Sequence, residues 1–154
     1  MGIAQYLVFA MFRIAAINAS FNASELCLHC LCISMDQCNT TVGCKGDPGS
    51  YVCGPYAITY EYWKDSGYPV LEEEATVDIR GYVRCVNDFK CAKKCVEQYM
   101  NRYKMDCNND GDMTCSDYFY LHYFGPSDCG IAHPKTKEEN VFDVCISKMA
   151  ASVT

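Results

Sequence analysis

At 154 residues the chain has the length of one domain, enough to bury about two-thirds of the surface its unfolded form exposes. Nineteen Asp and Glu against 13 Lys and Arg leave a formal charge of -6, and with no basic run nothing attracts a polyanion, which excludes nucleic-acid binding as a class. Thirteen cysteines, all between Cys27 and Cys145, read as a disulfide framework made in an oxidising compartment, and an odd count leaves at least one thiol over.

In chain order, Ile3 to Ala16 is apolar except for Gln5 and Arg13, and Ala19 offers the small residue that a signal peptidase accepts. Residues 1–19 are therefore expected to be a signal peptide rather than a membrane span, with residues 20–154 as the mature domain. Its removal takes away Arg13 and no carboxylate, moving the formal charge from -6 to -7. Asn22 and Asn39 each begin an Asn-x-Ser/Thr triplet and are N-glycosylation acceptors in a eukaryotic cell.

Ser24 with Glu25 predicts a helix start, with Leu26, Cys27, Cys30 and Leu31 along one side and an end near Met35 to Cys38. Val42 to Cys53, with Gly46, Asp47, Pro48 and Gly49 in the middle, predicts a short hairpin around a turn. Thr59 to Asp65 predicts a short helix bearing Trp63 and closed by Gly67. Tyr68 to Arg84 shows no sustained period and is expected to be a solvated loop around Glu72, Glu73 and Glu74. Asn87 is expected to cap the best helix of the chain, Asp88 to Lys104, through Ala92, Cys95, Val96, Tyr99, Met100 and Tyr103.

Cys115 to Phe124 predicts a shorter helix stopped by Gly125-Pro126. Thr136 and Glu139 form a capping box for a last helix, Lys137 to Met149, with Val141, Phe142, Cys145, Ile146 and Met149 inward. Several short helices, one hairpin and many bridges predict a helix-rich α+β domain.

The pieces Cys27-Leu-His-Cys-Leu-Cys, Gly43-Cys-Lys-Gly-Asp-Pro-Gly-Ser, Cys53-Gly-Pro-Tyr, Tyr62-Trp-Lys-Asp-Ser-Gly, Cys85-Val-Asn-Asp-Phe-Lys-Cys and Gly125-Pro-Ser-Asp-Cys129 resemble, in order and spacing, the invertebrate-type lysozymes, the group that includes the destabilases. The resemblance spans Cys27 to Cys145 and implies a lysozyme-like fold that cleaves the glycan of peptidoglycan, with isopeptide cleavage in some members. It requires no cofactor.

Glycoside hydrolysis needs a protonated carboxyl to release the leaving oxygen and an ionised one as nucleophile or stabiliser. By resemblance the ionised partner falls on Asp47. The position of the acid, usually Glu, is taken by Met35, whose thioether has no proton to give. Asp36 is next door, but one step along a helix turns a side chain by about 100 degrees. Ser50 and His122 match the positions implied for isopeptide cleavage; a hairpin Ser and a cleft-lining His are the plainer reading of that pair.

Three functions thus stand open: a secreted glycan-binding protein of defence or digestion with weak or lost hydrolysis, an active hydrolase using Asp36 and Asp47 or a Ser50/His122 isopeptidase, and a recognition protein with a reused cleft. The expected partner is peptidoglycan or another amino-sugar glycan, with no nucleic acid and no membrane for the mature chain.

The resemblance also implies the pairs Cys27 with Cys115, Cys30 with Cys145, Cys32 with Cys38, Cys44 with Cys53, Cys85 with Cys91 and Cys107 with Cys129. It places Ser66 where the partner of Cys95 would stand, so Cys95 is expected to be a free thiol on the buried face of its helix. Cys27-x-x-Cys30 has zinc-ligand spacing, but a secreted, bridged chain argues for disulfides. Asp106, Asn108, Asp110 and Asp117 sit in a D-x-N-x-D-G pattern closed by an acidic twelfth position, a calcium-loop arrangement that also reads as a polar turn. His29 and His133 have no motif around them.

Overall fold

The computed structural model describes residues 25–47, 50–72 and 77–152. The signal segment, Ser24, Asn22 and Glu73-Glu74 lie outside them. Helix α1 covers residues 25–36. Its buried side is Cys27, Leu28, Cys30, Leu31, Cys32 and Ser34, and the Ser34 hydroxyl donates to the Leu31 carbonyl at 2.8 Å. The helix stops because Gln37 and Cys38 both turn left-handed, at φ 56 and 53, and the Cys32–Cys38 bridge ties that turn down.

The expected hairpin is present and gains a third strand. β1 (Cys44–Lys45), β2 (Val52–Cys53) and β3 (Ile58–Thr59) form an antiparallel sheet in the order β1-β2-β3, with Cys44 opposite its disulfide partner Cys53. Between β2 and β3, Gly54 has φ +73, and a Cβ there would run into the carbonyl oxygen of Val86. Only glycine lets the sheet come so close to the helix behind it.

α2 (Tyr60–Asp65) is capped by Thr59, whose side chain accepts from Tyr62 N–H. It buries Trp63 completely, and the indole N–H donates to the Pro69 carbonyl at 2.6 Å. The expected loop over Tyr68 to Arg84 is corrected in its second half: Ile79–Asn87 is a helix, α3. Asp78 caps it by accepting from Arg80 and Gly81 N–H. Exposed Val77 just before it and exposed Ile79 and Val83 on it mask the period of the buried set Gly81, Tyr82, Cys85 and Val86.

The expected cap of the central helix is also corrected. Asn87 ends α3, and Asp88 opens α4 (Phe89–Tyr103) by accepting from Cys91 N–H. α4 buries the predicted Ala92, Cys95, Val96, Tyr99 and Met100 and ends at left-handed Lys104. α5 (Cys115–Phe124) follows Thr114, and α6 (Lys137–Ala151) opens on the Thr136/Glu139 capping box. On α6 only Phe142 is fully buried, and Met149, expected inside, is 40% exposed.

α1 is the covalent hub. Cys27 reaches Cys115 at the start of α5, and Cys30 reaches Cys145 on α6. Cys85–Cys91 joins α3 to α4, and Cys107–Cys129 closes the segments flanking α5. The structure thus pairs the cysteines as the resemblance implies, in a helix-rich α+β lysozyme-like fold with a small sheet and six bridges. Cys95 stays a buried free thiol, its sulfur 3.0 Å from the Ser66 hydroxyl. That hydroxyl already donates to the Trp63 carbonyl at 2.7 Å, so the Cys95 S–H supplies the proton of their contact.

Candidate functional site

A cleft of about 530 Å³ opens where the end of α1, the sheet, α2, α4 and α5 meet. Its inner wall is aromatic: Tyr62 stacks on Tyr99 with ring centroids 3.6 Å apart. His122 of α5 stands edge-on to Tyr62 at 5.1 Å. A backbone carbonyl can only accept, so the 2.8 Å contact from His122 Nε2 to the Tyr56 oxygen fixes the proton on Nε2. Nδ1 then accepts from the Tyr62 hydroxyl at 3.0 Å.

Burial pushes the His122 pKa down to about 4, with the bond to Tyr56 opposing. The ring is neutral at pH 7, its nitrogens both engaged although its edge opens on the cleft. Tyr62 is held well above its ordinary range, first by burial and then by Cys95, Tyr99 and Tyr56 around it. Both groups are therefore positioned hydrogen-bonding walls, with no proton to exchange near neutrality.

Of the residues the sequence nominates, the structure brings Met35 and His122 into the cleft. Asp36 turns away, its two oxygens on Lys45 Nζ of β1 at 2.8 and 3.0 Å. Asp47 is exposed at the hairpin turn, where its carbonyl accepts from Ser50 N–H at 2.9 Å and from the Ser50 hydroxyl at 3.4 Å. Ser50 and His122 thus have separate partners, and neither Ser50 nor Asp47 is among the residues that line the cleft.

The calcium-loop residues are turned on their own backbone. Asp106 accepts from Asp110 and Gly111 N–H, and Asn108 accepts from Asp110 N–H while donating to the Asp110 carboxylate. Fully buried Asp117 accepts from Cys107 N–H at 2.9 Å and from Thr114 N–H at 2.7 Å, plus the Thr114 hydroxyl. Its carboxylate caps α5 and ties the preceding loop to it. Cys27 and Cys30 are in disulfides, and no cluster of three metal-ligating side chains occurs among the described residues.

His133 stacks on Phe124 at 3.7 Å. His29 borders a separate, largely apolar depression between α1 and α6. No described helix is long and apolar enough to cross a membrane.

Sequence reasoning missed Glu61, Asp65 and Glu138, the three carboxylates that line the cleft. Glu61 pairs with Lys64 at 2.7 Å. Asp65 accepts from the Tyr103 hydroxyl at 3.0 Å, and Glu138 from the Tyr123 hydroxyl at 3.2 Å. The signal for the first two was their four-residue spacing on α2, which puts them on one face. For Glu138, in the first turn of α6, no local signal exists.

The Destabilase family model matches residues 24–145. The chain is 40% identical over 107 residues to invertebrate-type lysozyme 3 of Caenorhabditis elegans, covering 70% of this chain and 76% of the relative. Among solved structures, a Meretrix lusoria lysozyme in complex with Aeromonas hydrophila PliI matches with TM-score 0.55 at 32% identity, over 68% of this chain and 76% of that one. Tapes japonica lysozyme matches with TM-score 0.55 at 29% identity, over 79% and 86%. The chain belongs to the destabilase family, with invertebrate-type lysozymes as its homologues.

Proposed function

We propose that this lysozyme-family protein is exported and binds peptidoglycan or a related amino-sugar glycan in its cleft, with hydrolysis weak or lost. One observation carries the reading: Met35 lines the cleft, while the neighbouring Asp36 is drawn off to Lys45 and Asp47 lies outside the lining. A thioether gives no proton to a leaving oxygen, and loss of general-acid assistance costs about two to four orders of magnitude in rate.

Export is supported by the apolar first 19 residues and the six bridges. Asn39 is exposed and its side chain accepts from Thr41 N–H and hydroxyl, a surface turn open to glycosylation. The isopeptidase reading has less support, since Ser50 donates to Asp47 and His122 is engaged at both nitrogens.

The deciding experiment is release of soluble muropeptides from purified peptidoglycan between about pH 4 and 8, with Met35→Glu run beside the unaltered protein. The expected result is turnover at least about 100-fold higher in the variant. Equal turnover in the two would overturn the reading and return Asp36 to the role of acid.

A further inference from the structure

The charged side chains that line the cleft are all carboxylates. Glu61 and Asp65 enter it from α2 and Glu138 from the first turn of α6, and no Lys or Arg is among its lining residues. Two cations beside α2 are occupied: Lys64 Nζ is 2.7 Å from Glu61, and the Arg102 guanidinium donates to the backbone carbonyl of Asp65 at 3.0 Å. The one basic group in the lining, His122, is neutral, and its single N–H is given to Tyr56. The phenols of Tyr103 and Tyr123 are donated to Asp65 and Glu138.

Fully N-acetylated sugars suit this charge less well. An N-acetyl group presents a carbonyl that wants a donor, and a muramic lactyl carboxylate adds a like charge to that of the cleft. A free 2-amino group, protonated, brings three N–H donors and a positive charge, and it is attracted to carboxylates.

We propose that the cleft selects de-N-acetylated amino sugars, β-1,4-linked glucosamine, with Glu61, Asp65 and Glu138 as the residues that read the free amine. This rests on the reading of the cleft as a glycan site and names its ligand class. It accounts for an acidic cleft in a lysozyme-like fold as a preference for the more cationic stretches of an amino-sugar glycan over the acetylated ones.

The test is calorimetric titration with a glucosamine hexamer and an N-acetylglucosamine hexamer at about pH 6 and low salt, where screening is weak. The glucosamine hexamer is expected to bind at least about tenfold more tightly, and Glu61→Gln and Glu138→Gln should each weaken it about fivefold. A control variant, Asp112→Asn, makes the same charge change outside the cleft and should leave affinity unaltered.

Equal or tighter binding of the acetylated hexamer would overturn the selectivity while leaving the glycan-site reading intact. An equal loss in the control variant would reduce the effect to a polycation on an acidic surface, and overturn it too. Binding of neither hexamer would overturn both readings.

Discussion

The two ends of α1 face different demands. Its first half is held to α5 by Cys27–Cys115 and to α6 by Cys30–Cys145. Its last turn presents Met35 to the cleft and Asp36 to Lys45. In the bridged half two disulfides share the load, and elsewhere in the scaffold Ser66 and Cys95 meet in a hydrogen bond. At the cleft end the proposed loss of hydrolysis turns on one side chain, Met35, whose thioether has no proton to give.

The sharpest way to break this comparison is to cut the scaffold at the hub. Cys30→Ala with Cys145→Ala opens a link across 115 residues and should cost about 4–5 kcal/mol in the chain-entropy account. Cys85→Ala with Cys91→Ala spans only 6 residues and should cost about 2 kcal/mol. Urea unfolding of the two pairs measures the difference, and equal losses would remove α1 from its place as hub.

Completing the scaffold is the converse. Ser66→Cys faces Cys95 across 29 residues of chain and should add a seventh bridge and about 3 kcal/mol. Titration of the denatured, unreduced protein should then find no thiol, where the unaltered protein shows one. A persistent thiol would mean that the backbone around Ser66 cannot close the remaining gap.

His122 couples the two regions through pH. Its folded pKa, about 4, lies below the unfolded value of about 6.5, so the unfolded chain binds more protons in between. Its contribution is therefore fully present above about pH 6.5 and is lost as pH falls toward 4, by at most about 3 kcal/mol for this partly open ring. His122→Gln should flatten that window in thermal melts, and a ring titrating near 6.5 by NMR would contradict the assignment.

Much of the scaffold was legible because its signals are local. α4 carries its apolar residues at helical spacing, α6 announces itself with Thr136 and Glu139, and the cysteine spacings carry the family. α3 was not legible, because exposed Val77, Ile79 and Val83 blur the period set by Tyr82, Cys85 and Val86. The boundary at Asn87 and Asp88 was misread because both are good caps, and one turn ends where the next helix begins. At the cleft, Met35 could be read from its place before Cys38. Glu138 could not, since only tertiary folding brings the start of α6 beside Tyr123 of α5.

The buried thiol of Cys95 has a consequence for how the chain is made. Burial pushes its pKa up to about 12, the Ser66 hydroxyl opposing only in part, so at pH 7 the thiol form, which does not attack disulfides, prevails. Once folded, the odd sulfur is chemically quarantined and the six bridges are safe from it. Before folding it is as reactive as the other twelve, and each wrong bridge it makes must be undone before α4 can close over it. Oxidative maturation is therefore the vulnerable stage in the life of this protein, and Cys95→Ser should refold from the reduced state with fewer scrambled isomers.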